Sequence, residues 1–398
     1  KKIRKVIDPA TLDHAEYGKV DLPCLAAAKA AKSLPEKMKA VVFGDDKGAR
    51  FAWKAIASNL IYAANRIPEI SDTIVEIDNA MRWGFNFEMG PFETWDAIGV
   101  EDAVAKMEAG GLTVPEAVKS MLAAGNHSFY KLENGNPYYY DFSSGGYQPV
   151  KISGNIVSLA GLKADSKTVK ACKSASLVDI GDDVFCLEFH TKMNAINGEI
   201  VDFMAEGLDY VDANGAGLVI GNQAGGMPGA FSAGGDLAFM AGLAKEGKYA
   251  EIDAFLKKGQ TGMQKVRYAS FPVVAAPYGM TLGGGCEVCL GAADKIVAHS
   301  ELYMGLVEIG VGVLPAGGGL KEIARRASEW AKQVPDGNPY PWVRRGFEAA
   351  AAAKVSMSAF EARDTGWLRH TDKIVFHKSR VIAEAKKAAI GLAEAGYT

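Results

Sequence analysis

Three acidic residues stand alone in long uncharged stretches of this sequence. Asp236 ends one such stretch, and Glu287 and Glu308 each lie inside another. A carboxylate that is buried without a cation costs several kcal/mol or stays protonated with a raised pKa, so stability gives a fold little reason to keep one. The three acids are therefore candidates for proton-transfer chemistry.

Each acid also has a purely structural interpretation. Asp236 follows two glycines and opens an apolar run, which favours a carboxylate that accepts backbone N–H bonds in the first turn of a helix. Glu287 follows three glycines near a helix start, and Glu308 lies between two apolar residues. Glu287 and Glu308 are stronger catalytic candidates together than either is alone.

Two glycine turns strengthen the catalytic interpretation. Residues 283–285 are three glycines before a predicted helix, where the backbone approaches a ligand closely and unpaired N–H groups face it. Residues 233–236 form a second turn of this kind. Two N–H donors on one oxygen stabilise a developing oxyanion, so this pattern predicts proton chemistry beside an activated carbonyl. Neither a GxxxxGK motif nor a GxGxxG motif follows a predicted strand.

The surrounding pattern predicts helices first and an α/β arrangement afterwards. Helical spacing of apolar residues covers residues 51–70 and 74–83. Residues 176–180 and 184–189 flank a Gly-Asp-Asp turn and predict a hairpin, and a helical stripe covers residues 196–211. Short apolar segments bounded by Gly or Pro are typical of strands covered on both faces, and they occur at 217–220, 272–276 and 295–298. The composition changes at the serine and glycine residues 143–146, where we place the domain boundary or linker. We predict an all-α helical domain over 1–145, a linker over 146–174 and an α/β domain over 175–398.

Composition excludes several classes of protein. The 398 residues are 48% hydrophobic and 23% charged, as in an ordinary globular chain of two domains. The 44 basic and 47 acidic residues give a net charge of −3, too balanced for binding nucleic acid or an anionic membrane through net charge. No membrane span is predicted.

Cysteine usage and the first residues suggest the compartment. The five cysteines are odd in number and scattered, which is typical of reduced thiols in the cytoplasm, and Cys286 and Cys289 lack the second pair that a metal site needs. We therefore expect a cytoplasmic protein without a metal. Residue 1 is Lys and no leader follows, so we expect no signal peptide and a chain that begins inside a longer protein.

Four segments resemble, in order and spacing, the motifs of the crotonase (enoyl-CoA hydratase/isomerase) superfamily. They are FSAGGDL from Phe231, PYGMTLGGGCE from Pro277, LVEI from Leu306 and LPAGGG from Leu314, within a resemblance that covers roughly residues 175–375. The resemblance implies a ββα superhelix and an oxyanion hole made by the amides of Gly235 and Gly284. It also implies that Glu287 handles the water and Glu308 the proton. The spacing between the two acids is one residue longer than in the family, through residues 291–293.

The same resemblance implies what the site binds. In the family, the stretch that matches residues 191–195 meets the nucleotide end of coenzyme A, so Lys192, Ala195 and Ala233 are expected to contact it. The coenzyme A thioester is then the substrate, and no resident cofactor is expected in this chain. The closing helices of the family often pack against another subunit, which leaves a homo-oligomer open.

The first domain resembles another family. Residues 45–145 are similar to the helical C-terminal domain of 3-hydroxyacyl-CoA dehydrogenases, through IDNAM from Ile77, MGPFE from Met89 and DAIG from Asp96. Lys54 stands where that family usually carries an Asn after Phe51. A nucleotide-binding domain with its catalytic His and Glu is absent from this sequence. NAD is therefore implied only for a missing N-terminal domain, and we expect no oxidation by this chain.

Together these features predict hydration of trans-2-enoyl-CoA to 3-hydroxyacyl-CoA in fatty-acid β-oxidation, by the rear part of a bifunctional protein. Two alternatives stay open. One is a double-bond isomerase, in which one acid moves a proton between C2 and C4. The other is a non-catalytic module that supports the assembly of the dehydrogenase.

Overall fold

The computed structural model describes residues 5–16, 18, 21–85, 87–133, 136–151, 156–223 and 229–397. The chain divides into two compact units, Lys1–Val150 and Lys151–Thr398. None of the described helices combines the length and the apolar character that a membrane crossing requires.

The described part of the first unit is mainly helical. Its elements are β1 (Lys5–Ile7), β2 (His14–Glu16), α1 (Pro23–Ala30), α2 (Leu34–Val42), α3 (Lys47–Ala64), α4 (Ile74–Gly84), α5 (Pro91–Ile98), α6 (Val100–Ala109), α7 (Glu116–Ala123), β3 (Tyr130–Glu133), β4 (Asn136–Asp141) and β5 (Gly146–Pro149). The predicted helical character is confirmed. The all-α expectation missed an antiparallel sheet in the order β3-β4-β5, whose central strand contains the aromatic run at residues 138–140.

A buried aspartate ties three elements of this unit together. Asp78 on α4 accepts hydrogen bonds from the amides of Phe92 and Glu93, at 2.8 and 3.0 Å, in the first turn of α5. It also accepts one from the Tyr130 hydroxyl of β3, at 2.9 Å. Burial raises the pKa of Asp78 to about 7 in spite of these three donors. Burial likewise raises the pKa of Asp96, on α5, to about 6.

The described part of the second unit alternates strands and helices. Its elements are α8 (Leu159–Ala164), β6 (Thr168–Ala171), β7 (Ala175–Asp179), β8 (Val184–Phe189), α9 (Gly198–Asn214), β9 (Gly217–Gly221), β10 (Ala230–Ser232), α10 (Leu237–Lys245), α11 (Tyr249–Arg267), β11 (Val273–Ala276), β12 (Gly279–Leu282), α12 (Gly284–Glu287), β13 (Lys295–His299), β14 (Leu302–Gly305), α13 (Gly319–Ala331), α14 (Tyr340–Ala351), α15 (Ala359–Thr365), β15 (Lys373–Val375) and α16 (Val381–Glu394). The predicted hairpin is β7–β8, and the three predicted covered strands are β9, β11 and β13.

Successive strands of this unit alternate between two sheets. The larger sheet has the order β15-β13-β11-β9-β8-β7-β6, with parallel pairing except at β6–β7 and β7–β8. The smaller sheet, β10-β12-β14, is parallel throughout. The chain therefore passes from β9 to β10, from β11 to β12 and from β13 to β14, and returns through helices each time. This repetition is the predicted ββα superhelix.

Each face of the larger sheet carries its own hydrophobic core. One core includes Ile200, Phe203 and Met204 of α9. The other includes Leu159 of α8 and Ile382 of α16. Because both faces are covered, the central parallel strands are apolar without alternation, which explains why they appeared as short apolar runs in the sequence.

The described part of residues 146–174, which were predicted as a linker, contains regular structure. Strand β5 completes the sheet of the first unit, while α8 and β6 belong to the second. The serine- and glycine-rich residues 143–146, whose composition favoured a linker, instead connect β4 to β5 in a hairpin. Turn composition is the same in both cases, so residue types there do not distinguish a linker from a hairpin.

The replacement Asp78→Asn is expected to flatten the pH dependence of unfolding. The pKa of Asp78 rises from its ordinary 3.8 to about 7 on folding. The protonated carboxyl therefore stabilises the fold fully below pH 3.8, and this contribution is lost as the pH rises through 7. Urea unfolding of the full chain at pH 5 and pH 8 measures this contribution. Between these two pH values the free energy of unfolding should fall by about 2 kcal/mol more in the wild type than in the variant.

Asp102→Asn, at an exposed carboxyl in the first turn of α6, is the matched control and should keep the wild-type dependence. An Asp78→Asn variant with the same loss as the wild type would contradict this assignment.

Candidate active site

All the predicted catalytic residues follow strands of the small parallel sheet. β10 leads to residues 233–236, β12 to residues 283–287 and β14 to residues 306–308. The register aligns Ser232 with Thr281, and Thr281 with Met304, so the three strands end at one edge. The carboxyl ends of parallel strands are where open α/β sheets bind ligands. The sheet thus brings together segments that lie far apart in the sequence.

Two backbone amides on this edge are free to bind an oxygen. Gly235 forms a parallel bridge with Ile196, but the bonds of that bridge are made by the carbonyl of Gly234 and the amide of Asp236. Gly284 is the first residue of α12, where a helix leaves its amides unpaired. Neither the Gly235 nor the Gly284 amide donates a hydrogen bond to another described residue.

The two amides lie next to each other because the backbones meet closely. A Cβ on Gly284 would lie 3.4 Å from the amide nitrogen of Gly235. A Cβ on Gly234 would lie 2.9 Å from the carbonyl oxygen of Leu282 and 3.3 Å from the amide nitrogen of Gly284. Gly234 also has a φ of +102°, a conformation that favours glycine. The turn therefore requires glycine for both its conformation and its packing.

Glu287 is buried and held by a third glycine turn. Its side chain is 4% exposed, and Oε1 accepts a hydrogen bond of 2.9 Å from the amide of Gly319, the first residue of α13. A Cβ on Gly317 would lie 2.4 Å from Oε2, so the backbone of residues 317–319 is pressed against the carboxylate. Burial raises the pKa of Glu287, and the amides at Gly317, Gly318 and Gly319 oppose this.

The carboxyl group of Glu308 is also buried, but it lacks the hydrogen bond that Glu287 accepts. Both carboxyl oxygens are buried, and neither receives a hydrogen bond from the described residues. A Cβ on Gly283 would lie 3.3 Å from Glu308 Oε1, so the carboxyl lies against the turn that carries the Gly284 amide. Burial first, and repulsion by Glu287 second, raise the pKa of Glu308 to about 7, against a weaker opposing effect of the nearby backbone amides of Glu308 and Val307, which are not placed to form hydrogen bonds with it. At neutral pH this carboxyl holds a proton part of the time.

These groups share one cavity of about 200 Å³. Gly235, Gly284, Glu287 and Glu308 all line it. Its other walls come mainly from apolar residues of α9, α10 and α11 and from residues 311–316, with the polar side chain of Gln260 on α11. The two glutamates are its only charged side chains among the described lining residues. The cavity can therefore hold a ligand whose carbonyl oxygen lies at the two amides and whose apolar chain lies along the apolar walls, beside the two acids.

The three residues that were expected to contact coenzyme A differ in their exposure and in whether they line this cavity. Ala233 lines it, and its amide donates a 3.0 Å hydrogen bond to the carbonyl of Met193. Lys192 is exposed at the start of a short helical segment, Lys192–Asn194, and Ala195, directly after that segment, is half-buried. The structure thus places all three on neighbouring chain segments, with Ala233 alone in the cavity wall.

Asp236 has a structural role, as its position after two glycines indicated. Its Oδ1 accepts hydrogen bonds of 3.1 Å from the amides of Ala238 and Phe239 and caps α10. The contribution of residues 317–319 to the site was missed. The argument applied to the glycines before α12 would have found them, since they also precede a helix.

The helix that carries Glu287 continues as a π-helical turn at Val288–Ala292. A π turn contains more residues than an α turn, and such turns occur frequently at functional sites. It overlaps residues 291–293, where the resemblance indicated one residue more between Glu287 and Glu308 than in the crotonase motifs.

Two families match successive parts of the chain. Residues 51–128 match the 3-hydroxyacyl-CoA dehydrogenase C-terminal domain, and residues 180–333 match the enoyl-CoA hydratase/isomerase family. A Bacillus subtilis protein named "Probable 3-hydroxyacyl-CoA dehydrogenase" is 42% identical over 395 residues, which are 98% of this chain and 48% of that protein. An Aliivibrio fischeri fatty acid oxidation complex subunit alpha is 31% identical over 138 residues, 34% of this chain and 19% of that protein.

The chain spans about half the length, or less, of these curated relatives. Among solved structures, an enoyl-CoA hydratase from Bacillus anthracis is similar over 56% of this chain and 76% of its own, with 23% identity and a TM-score of 0.43.

The replacement Gly317→Ala is expected to destabilise the second unit by roughly 1–3 kcal/mol, because the new methyl group would overlap Glu287 Oε2. The backbone at Gly317 has no positive φ, so contact alone produces the effect. Gly207→Ala on α9 is the matched control, since its Cβ meets no atom within 4 Å and alanine favours the helix. Urea unfolding of both variants measures this, and equal stabilities would contradict the packing described.

Proposed function

We propose that this chain, which joins a 3-hydroxyacyl-CoA dehydrogenase C-terminal domain to an enoyl-CoA hydratase/isomerase domain, hydrates trans-2-enoyl-CoA to 3-hydroxyacyl-CoA. The single observation that carries the proposal is that two acids in one cavity differ in their hydrogen bonding. Glu287 accepts a backbone hydrogen bond, whereas both oxygens of Glu308 have none. Hydration needs one carboxylate and one carboxylic acid at the same time.

The proposed reaction begins at the thioester oxygen. The amides of Gly235 and Gly284 bind this oxygen and stabilise the negative charge that develops on it when C3 is attacked. Removal of one such donor typically costs a factor on the order of 10²–10³ in rate. Since both amides belong to glycine turns whose packing is fixed by close backbone contacts, they need no rearrangement during the reaction.

The two acids then add the elements of water. Ionised Glu287 takes one proton from a water molecule while the water oxygen forms a bond to C3. The electron pair of the double bond moves toward C2 and the thioester oxygen. Protonated Glu308 delivers its proton to C2, which restores the carbonyl and leaves 3-hydroxyacyl-CoA. The enzyme then holds its proton on Glu287 instead of Glu308, and exchange with solvent restores the starting state.

Coenzyme A binding and pathway follow from the same proposal. Lys192, Ala195 and Ala233 would contact the coenzyme A portion of the substrate. The relatives named above are a dehydrogenase and a fatty acid oxidation subunit, so we place the reaction in fatty-acid β-oxidation within a longer protein. NAD would then belong to a part of that protein outside this sequence.

A second candidate is isomerisation of 3-enoyl-CoA to 2-enoyl-CoA. The observation that favours it is Glu308 itself, because a lone acid with a pKa of about 7 and unpaired oxygens can move a proton between C4 and C2. Glu287 would be dispensable in that reaction. A chain that binds no acyl-CoA in calorimetry would instead support the assembly module.

Glu287→Gln and Glu308→Gln are each expected to lower kcat for hydration of crotonyl-CoA by a factor on the order of 10²–10⁴, with little change in stability. The loss of absorbance of the conjugated double bond measures the rate. Glu206→Gln, at an exposed position on α9, is the control. Near-normal hydration in both site variants would contradict the assignment. Isomerisation of a 3-enoyl-CoA that survives in Glu287→Gln but not in Glu308→Gln would support the isomerase.

The pH profile of hydration is expected to be bell-shaped, with activity falling above about pH 7. Glu308, whose pKa is about 7, loses the proton that it must deliver as the pH rises. Activity also falls at low pH, where Glu287 becomes protonated and cannot accept a proton from water. The profile of kcat/KM for crotonyl-CoA measures both limbs, and activity that stays constant from pH 7 to pH 9 would contradict the role of Glu308.

A further inference from the structure

One face of α11 forms a wall of the active-site cavity. Its lining residues are Phe255, Leu256, Gly259, Gln260, Gly262 and Met263, which recur at the spacing of a single helical face. Two of these six are glycines inside a helix of 19 residues. A glycine in a helix interior costs about 1 kcal/mol relative to alanine. Some other requirement must therefore keep side chains out of these positions.

The two glycines have different surroundings. A Cβ on Gly262 would lie 3.8 Å from Val201 Cγ1 of α9, so this position faces a neighbouring helix. A Cβ on Gly259 would meet no heavy atom within 4 Å, although the residue is half-buried and lines the cavity. A side chain at Gly259 would thus project into open cavity space without a clash against the protein.

The turn of α11 that contains Gly259 borders the same cavity as the two acids. The side-chain amide of Gln260 donates a 2.8 Å hydrogen bond to the carbonyl oxygen of Ala316. The next residue after Ala316 is Gly317, which packs against the Glu287 carboxylate. This turn of α11 therefore faces the segment that holds Glu287, and the space beside Gly259 is continuous with the reacting groups.

The charges on the cavity walls indicate which acyl groups can bind in that space. Among the described lining residues, no lysine, arginine or histidine is present, and the only charges are the two glutamates. A free carboxylate on the acyl chain would be repelled by ionised Glu287 and would find no cation. The volume of about 200 Å³ exceeds the 150 Å³ of an apolar cavity that accepts benzene, so an acyl tail longer than four carbons has room.

We infer that Gly259 determines the length of acyl chain that this site accepts, because the missing side chain on α11 leaves space for an uncharged acyl tail longer than four carbons. The inference rests on the proposed hydratase function, since it takes the acyl group of a coenzyme A thioester as the occupant of the cavity. Gly259 is a specificity-determining residue in this account and takes no part in proton transfer.

The test compares a four-carbon and a ten-carbon substrate in the full chain. Gly259→Leu should lower kcat/KM for trans-2-decenoyl-CoA by a factor on the order of 10–200, since a few carbons of the tail lose their space. It should change kcat/KM for crotonyl-CoA by less than about threefold, a difference below 1 kcal/mol. Gly259→Ala should give a smaller loss with decenoyl-CoA in the same direction.

Gly391→Leu is the matched control. Gly391 is an exposed glycine inside α16 whose Cβ also meets no atom within 4 Å, and it does not line the cavity. Leucine favours the helix at both positions, so both variants should fold. Equal losses on the two substrates in Gly259→Leu, or no loss on either, would overturn the inference.

A binding measurement separates this inference from the proposed reaction. Calorimetry with the unreactive butyryl-CoA and decanoyl-CoA reports the acyl pocket without turnover. Gly259→Leu should raise the Kd of decanoyl-CoA at least tenfold and leave that of butyryl-CoA unchanged. If the wild type binds both ligands but hydrates no enoyl-CoA, the proposed function fails while the Kd ratio still decides the role of Gly259. Glutaryl-CoA that binds as tightly as butyryl-CoA would overturn the expectation of an uncharged acyl group.

Discussion

Two carboxyl groups share an apolar cavity in which no described lining residue carries a positive charge. Desolvation opposes ionisation of both, and each ionised carboxyl opposes ionisation of the other. The fold treats them differently, because Glu287 receives an amide from the start of α13 while Glu308 receives none. The proton shared by the pair is therefore favoured on Glu308. The amides of Gly235 and Gly284 lie in the same cavity as this unequal pair.

The small parallel sheet is what allows the arrangement to exist. Its three strands end at one edge, so a turn with a free amide follows β10, a second free amide and Glu287 follow β12, and Glu308 follows β14. Glycine appears where these turns touch, because any Cβ at Gly234 would meet the backbone of the neighbouring turn. Glycine loses more chain entropy on folding than other residues do. It is nevertheless needed here, because only without a Cβ can these turns place two amides and two acids around one cavity.

Much of this could be predicted from residue types and order. Isolated acids in uncharged stretches pointed to Glu287 and Glu308, and the glycine runs before helices pointed to the turns at residues 233–236 and 283–285. The resemblance to the crotonase motifs then singled out the amides of Gly235 and Gly284. The same local logic identified Asp236 as a helix cap, which the structure confirms. It failed for residues 146–174, because the serine and glycine composition of a hairpin turn is also that of a linker. It also missed Gly317 and Gly319, whose partner Glu287 lies about 30 residues earlier in the chain.

The sequence by itself determined which chemical groups were available, where helices began and which strands would be covered, because these properties depend on neighbouring residues and their spacing. Only the tertiary structure decided which amide meets Glu287, why Glu308 has none, and that Gly259 of α11 opens onto the same cavity. Those contacts depend on sheet register and on the approach of helices, which bring together segments that no local pattern relates.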